Sequence, residues 1–305
     1  MTISVIIPFY NRNELLRQSL PSALSQTLPA HEIIVVNDCS AEDIGWLATE
    51  FPTIKVISLP KNMGAGGARY HGALAATGTH IASLDADDYW YPEKLEKQAA
   101  FVTQVGDPRG IYSHQQWVEE GGGGSIRPDD GPRPGEPISE YLLVRNGFIQ
   151  SNTIMVEREA YLQLCRVSDE LYADDWALTL RADLLQCRVY LLKEALSHWN
   201  CTADPKRFSN SRNVRYDRNY ELWQARYFTP KAKAAFGGRW LAPRLIKQGQ
   251  LFDALWLLAR AVRQKALSPL AALKILLSAL FPQLYGKAVS YWFGFRQKRP
   301  RPQNA

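Results

Sequence analysis

The chain has 305 residues, of which 46% are apolar and 22% charged, a composition that excludes intrinsic disorder and allows a substantial buried core. No eighteen-residue apolar run occurs, which argues against a spanning helix, and the four cysteines (Cys39, Cys165, Cys187, Cys201) form neither a CxxC pair nor a His/Cys metal spacing. The net charge of +6 is uneven: residues 1–205 hold 16 Lys and Arg against 27 Asp and Glu, whereas residues 206–305 hold 20 against 3.

In chain order, Met1–Pro8 lacks a basic leader and predicts a first strand over Ile3–Pro8. Asn13–Ser25 has helical spacing through Leu15, Leu16, Leu20 and Leu24. The alternation continues with a strand expected at Glu32–Val36, a helix at Ala41–Glu50 and a strand at Ile54–Leu59. A helix at Gly67–Ala76, a strand at His80–Leu84 and a helix at Pro92–Val105 complete the pattern. Short β-branched runs alternating with helices imply βαβ units, hence an α/β fold with a Rossmann-like, mostly parallel sheet flanked by helices.

The fourth expected strand delivers Asp85, Asp87 and Asp88 to its carboxyl end, where open α/β sheets bind ligands. Carboxylates two residues apart can turn toward one hard cation, Mn²⁺ or Mg²⁺, whose remaining oxygen ligands come from substrate phosphates. Upstream, Gly64-Ala65-Gly66-Gly67-Ala68-Arg69 resembles half of a dinucleotide fingerprint. It follows the third strand rather than the first, however, and Arg69 takes the place of the third glycine. A glycine-rich helix start still favours an anion, and Arg69 adds a charge-assisted contact to a diphosphate.

Beyond residue 105 the character changes. Residues 119–137 contain Gly121-Gly122-Gly123-Gly124 and four prolines and read as a mobile loop. A strand follows at Ser151–Val156, a helix at Asp175–Leu185 and a strand at Arg188–Leu192. Residues 206–305 read as a mainly helical basic extension. Its Leu-, Ala- and Trp-rich stretches, with Tyr291-Trp292-Phe293 before Arg296, Lys298, Arg299 and Arg301, suit the surface of an anionic membrane rather than nucleic acid.

Four motifs in order carry a resemblance: Val5-Ile6-Ile7-Pro8-Phe9-Tyr10-Asn11, Glu32-Ile33-Ile34-Val35-Val36-Asn37-Asp38-Cys39-Ser40, Asn62-Met63-Gly64-Ala65-Gly66-Gly67-Ala68-Arg69 and Asp85-Ala86-Asp87-Asp88. The chain resembles the family 2 glycosyltransferases of the GT-A fold, strongly over residues 1–105 and more thinly to about 200. The resemblance implies a GT-A catalytic domain over 1–205, with a nucleotide-sugar-binding half (1–105) and an acceptor half (106–205). It also implies a nucleotide-diphospho-sugar donor, a divalent cation (Mn²⁺ or Mg²⁺) and inversion at the anomeric carbon. Carried over by motif, Pro8 and Tyr10 line the nucleoside pocket, Asp38 binds the base, Asp85 faces the ribose and Asp87 the metal, with Asp88 a further candidate.

The family's catalytic acid pair matches Asp174-Asp175, with Asp175 as the base that takes the acceptor hydroxyl's proton and Asp174 standing where Glu is usual. His198, near the end of the strand after the catalytic helix, is a candidate phosphate or metal contact. Gln224-Ala225-Arg226-Tyr227 resembles the product-channel motif of processive synthases at the wrong spacing, so addition of one sugar is expected. The expected donor is a UDP-sugar by preference. The expected acceptor is a saccharide or lipid-linked saccharide of a bacterial surface polymer, and the expected location is cytoplasmic, peripheral at the inner face of the membrane. The alternatives are a sugar nucleotidyltransferase, disfavoured by the Phe9-Tyr10-Asn11-Arg12 turn, and a catalytically degenerate scaffold, disfavoured by the intact Asp85, Asp87 and Asp175.

Overall fold

The computed structural model describes residues 1–120, 123–166, 175–200 and 226–281. The chain forms two compact units, one of Met1–Leu142 with Asn146–Tyr227, the other of Leu143–Arg145 with Phe228–Ala305.

Among the described residues, the first unit is built on a nine-stranded sheet of order β3 (Lys55–Ser58), β2 (Glu32–Asn37), β1 (Ile3–Phe9), β4 (His80–Ser83), β8 (Met155–Glu157), β6 (Ile111–Glu120), β9 (Val189–Asn200), β5 (Tyr89–Trp90), with β7 (Gly123–Arg127) added to β6. Strands β1 (Ile3–Phe9), β2 (Glu32–Asn37), β3 (Lys55–Ser58) and β4 (His80–Ser83) pair in parallel. Val5, Ile6, Ile7, Ile34, Val35 and Val36 are fully buried, as expected of parallel strands covered on both faces. Helices α1 (Asn13–Leu24), α2 (Trp46–Glu50) and α3 (Gly64–Ala75) connect them, and α4 (Lys94–Val105) follows later in the chain. Gly72 lets α3 lie close on the sheet: a Cβ there would sit 2.6 Å from Ile6 Cγ2 and 3.0 Å from Val36 Cγ2.

The helix expected from Ala41 starts only at Trp46. Side chains bind the intervening backbone in other conformations: Asn11 Oδ1 accepts from Ala41 N, Ser40 Oγ from Glu42 N, and Asp43 Oδ1 from Gly45 N. Conversely, α3 starts three residues early, through Gly64 at φ +75°.

Within residues 119–137, expected as a mobile loop, Glu119, Glu120 and Gly123–Arg127 belong instead to paired strands. The long strand β6 (Ile111–Glu120) pairs antiparallel with β7 (Gly123–Arg127), Trp117 opposite Ile126 and Glu119 opposite Gly124. Gly124 lies against the Trp117 indole, where any side chain would collide, so the glycine that looks like a strand breaker permits the pairing. The structure replaces the Ser151–Val156 strand by a 3₁₀ turn (Ser151–Thr153) and the short β8 (Met155–Glu157). Strand β5 (Tyr89–Trp90) follows the acidic loop directly, and β9 (Val189–Asn200) runs far beyond Leu192 because it pairs in parallel with β6 along its length. Helices α5 (Ile138–Leu143), α6 (Arg158–Cys165) and α7 (Asp175–Leu180) complete this part of the chain.

The second unit is helical among its described residues: α8 (Pro230–Phe236), a π-helical turn (Gly237–Leu241), α9 (Ala242–Lys247), α10 (Leu251–Arg263) and α11 (Pro269–Leu280). Thr229 and Ser268 cap α8 and α11 by accepting from Ala232 N and Ala271 N, each followed by proline at the first helical position. Gly238 packs beneath Leu267 and Ala261. Among the described residues, no helix is long and apolar enough to cross a membrane.

Candidate active site

The ladder places three loops side by side. Pro8 of β1 is in register with Val36 of β2, and Ile6 of β1 with Ser83 of β4. Tyr10, Asp38 and Asp85 therefore follow the carboxyl ends of three adjacent parallel strands, the usual ligand edge of such a sheet. Tyr10 is half-exposed there, while Asn11, in the left-handed region at φ +49°, ties its loop to the next through Ser40.

Asp38 is buried, with one carboxylate oxygen accepting from Met63 N at 2.7 Å at the start of α3, and its own carbonyl accepting from Asn62 Nδ2. Burial pushes its pKa up, and the Met63 and Gly64 N–H groups pull it back. Arg69, on the inward side of α3, is buried and holds Asp85 in an ion pair of 2.6 Å.

The three acids after β4 are sent three ways. Asp85 turns to Arg69, and Asp87 meets the Arg12 guanidinium at 3.3 Å with about a fifth of each side chain exposed. Asp88 turns inward: its two oxygens accept from Asn152 Nδ2 at 2.7 Å and Asn200 N at 3.1 Å, and the residue is 1% exposed. Asp88 is thus an anchor that fastens the acidic loop to the 3₁₀ turn and to the end of β9. Replacing it with Ala strips the acceptor from two donors in its interior pocket. The Asp88→Ala variant is expected to lose about 2–4 kcal/mol, read as a lower urea midpoint at unchanged slope; an unchanged midpoint would refute the anchoring role.

Beneath the loop lies a polar shelf. Trp90 Nε1 donates to Asn152 O, the Lys94 ammonium sits 3.7 Å over the Trp90 ring, and Gln98 Nε2 donates to Tyr112 O and Thr153 O. Complete burial holds the pKa of Lys94 well below the ordinary lysine value, and burial beside Lys94 takes that of His114 down to about 3.

His198 of β9 is brought to the same place, in register with Tyr89 of β5. Its ring stacks on Tyr89 at 4.5 Å and its Nε2 lies 3.2 Å from Glu119 Oε2; burial lowers its pKa against the pull of that carboxylate. The backbone of Asp175 opens α7, whose Ala177, Leu178 and Leu180 are buried. The Asp175 side chain, Asp174, Gln224-Ala225 and the 291–301 aromatic and basic cluster lie outside the described residues.

Arg12, Asn152 and Glu119 were not singled out from sequence as site residues. Arg12 stands beside the recognisable Tyr10-Asn11 turn, but its partner lies 75 residues away, and no local pattern reveals such a pairing.

Among the described residues no three His, Cys, Asp or Glu side chains converge as a metal-binding group. A cation clamped between protein and a diphosphate needs only one or two carboxylates, since phosphate oxygens and water supply the rest. Asp87 fits that need: its carboxylate is accessible and already faces a positive group, Arg12.

The chain matches the Glycosyl transferase family 2 profile over residues 4–161. It is 29% identical over 211 residues to the amylovoran biosynthesis glycosyltransferase AmsB of Erwinia amylovora, covering 66% of this chain and 70% of AmsB. It is also 29% identical to the putative teichuronic acid biosynthesis glycosyltransferase TuaG of Bacillus subtilis (strain 168), over 52% of this chain and 62% of TuaG. Over a third of its length (33%, against 41% of the relative) it is 36% identical to WfaP of Escherichia coli, named as a UDP-Glc:alpha-D-GlcNAc-diphosphoundecaprenol beta-1,3-glucosyltransferase. The fold matches that of S. aureus TarS 1-349, solved with UDP-GlcNAc, at a TM-score of 0.65 and 20% identity over 96% of this chain and 92% of that one. With the ordered motifs, the sheet edge that gathers them and a family match spanning more than half its length, the chain belongs to glycosyl transferase family 2 and is a glycosyltransferase.

Proposed function

We propose that this enzyme is an inverting, divalent-cation-dependent glycosyltransferase. It moves one sugar from a UDP-sugar to a hydroxyl of a saccharide or lipid-linked saccharide in bacterial surface polysaccharide synthesis. The observation that best supports this is the division of labour among the acids after β4: Asp85 held by Arg69, Asp88 consumed internally, and Asp87 left accessible beside a cation. The names of AmsB and WfaP support the polymer and the lipid-linked acceptor, and the TarS complexes with UDP-GlcNAc and UDP support the donor class.

In this reading Pro8 and Tyr10 flank the nucleoside, Asp38 reads the base, and Asp85, oriented by Arg69, faces the ribose. Asp87 holds the cation, Mn²⁺ or Mg²⁺; when bound, it supplies positive charge beside the leaving diphosphate. Arg12 keeps the Asp87 carboxylate oriented toward the donor. Asp175 removes the acceptor hydroxyl's proton as that oxygen attacks the anomeric carbon from the face opposite the diphosphate. The carbon–phosphate oxygen bond breaks, the nucleoside diphosphate departs with the electron pair, and the proton stays on the Asp175 carboxylate. His198, stacked beneath the loop, contacts the diphosphate side of the pocket. The enzyme works in the cytoplasm, attached peripherally to the inner face of the membrane through its basic helical extension.

A thermal-shift screen of nucleotide-sugars with Mn²⁺, Mg²⁺ or EDTA tests the donor chemistry. One UDP-sugar, at about a hundred times its Kd, is expected to raise Tm by about 5–10 °C with metal and by far less with EDTA. No stabilisation by any donor under any condition would sink the reading in favour of a degenerate scaffold.

A further inference from the structure

We propose that the outward faces of α10 and α11 form a single surface that docks onto an anionic phospholipid bilayer. The inference deepens, and rests on, the peripheral attachment stated above. It assigns that attachment to particular helices and side chains.

Helix α10 already has an inner side, made of the buried Ala254, Leu258 and Ala261. Its opposite side is also apolar. Phe252 is 83% exposed and Trp256 56%, and Leu255 is exposed beside them. With Ala259 and Arg263 these residues recur at the i, i+3, i+4, i+7, i+11 spacing of one helical stripe. Helix α11 repeats the arrangement: Ala272 is buried, while Leu270, Leu273, Leu277 and, just past the helix end, Phe281 are exposed on one stripe with Lys274 among them. A groove of about 470 Å³ runs between the two helices, lined by Leu255, Val262, Leu273 and Leu276, with Arg263 contributing the charge. An apolar surface of this kind, continuous over two helices, marks a contact surface.

Charge decides the partner. From Phe228 to Phe281 the sequence holds nine Lys and Arg against a single acid, Asp253. On the apolar stripes themselves the charged members are Arg263 and Lys274, and the Arg260 guanidinium lies 5.4 Å from the Trp256 ring centroid. Aromatic and leucine side chains set among basic ones, whose long stems let the charge rise to headgroup level, match a bilayer with anionic headgroups. At 13 and 12 residues the helices are roughly 20 Å long, short of the ~30 Å hydrocarbon core, so they lie in the interface and do not cross it.

The test is flotation of the full chain with phosphatidylcholine vesicles, with and without phosphatidylglycerol. The chain is expected to float with the anionic vesicles and to be released by about 1 M salt. The variant carrying Phe252→Ser and Trp256→Ser should lose at least about tenfold in partitioning. Arg263→Gln with Lys274→Gln should lose the preference for phosphatidylglycerol by about fivefold per charge. Donor-dependent thermal stabilisation, measured on the same proteins without vesicles, reports that each variant is folded and tests the transfer reading separately. Failure to float, or flotation unchanged by the aromatic pair, overturns the docking surface even while donor stabilisation persists. So does loss of a dimer in sedimentation by the aromatic variant without vesicle binding, since a second copy would then cover the face.

Discussion

Asp175→Asn is expected to reduce transfer by at least about 10²–10⁴-fold while leaving metal-dependent donor binding within about twofold. The substitution keeps the size and shape of the side chain and removes only its ability to take a proton. Its backbone is fixed independently: Ala177, Leu178 and Leu180 are buried, and just beyond the helix Arg181 donates to the carbonyls of Gln163 and Arg166, each at 2.9 Å. A merely structural role would lower thermal stability and donor binding together with turnover. The measurement is nucleoside diphosphate release with acceptor present, set beside donor-dependent thermal shift. Undiminished transfer by the Asn variant would remove Asp175 as the base.

Asp87→Ala acts on the other half of the reaction. We expect the metal-dependent part of donor binding to weaken by about 10–100-fold or more, because the cation loses its protein carboxylate. Donor binding in EDTA should change little. The fold should also change little: the Asp87–Arg12 pair is partly exposed, and such pairs contribute about 0–1 kcal/mol. The contrast with the neighbouring residue is the sharpest check. Asp88→Ala should cost stability because its carboxylate is buried on Asn152 and Asn200, whereas Asp87→Ala should cost affinity. Equal metal-dependent stabilisation of Asp87→Ala and the parent enzyme by donor would remove Asp87 from the cation site.

Where sequence and structure diverge, the cause is the same each time. Strands β1, β2 and β4 lie within a residue of their expected bounds because buried parallel strands are short, continuous β-branched runs. Strand β6 lacks a sequence signal because its interior positions are polar: Ser113, His114 and Gln116 are buried, and Ser113 and Gln116 bond to Thr153 and Gln150, far along the chain. Helix α2 shortened because Asn11, Ser40 and Asp43 offer the backbone partners that a helix pattern does not register. Gly124 serves as a strand residue opposite Glu119 because the Trp117 indole occupies the space that a side chain there would need.

The sequence alone determined the α/β class, the parallel core, the order of the four motifs and the placement of Asp85, Asp87 and Asp88 at a strand's carboxyl end. Those properties follow from local chemistry: β-branched runs, glycine at turns and acids beyond an apolar segment. Only the tertiary structure decided which acid is accessible and which is buried, for three adjacent aspartates look alike until Arg69, Arg12 and Asn152 each claim one. The same holds for the second unit, where the sequence supplied leucines, tryptophan and arginines, and folding decided that Phe252 and Trp256 face outward. Which side of a residue meets protein and which meets solvent depends on contacts made far along the chain, and no local pattern carries that information.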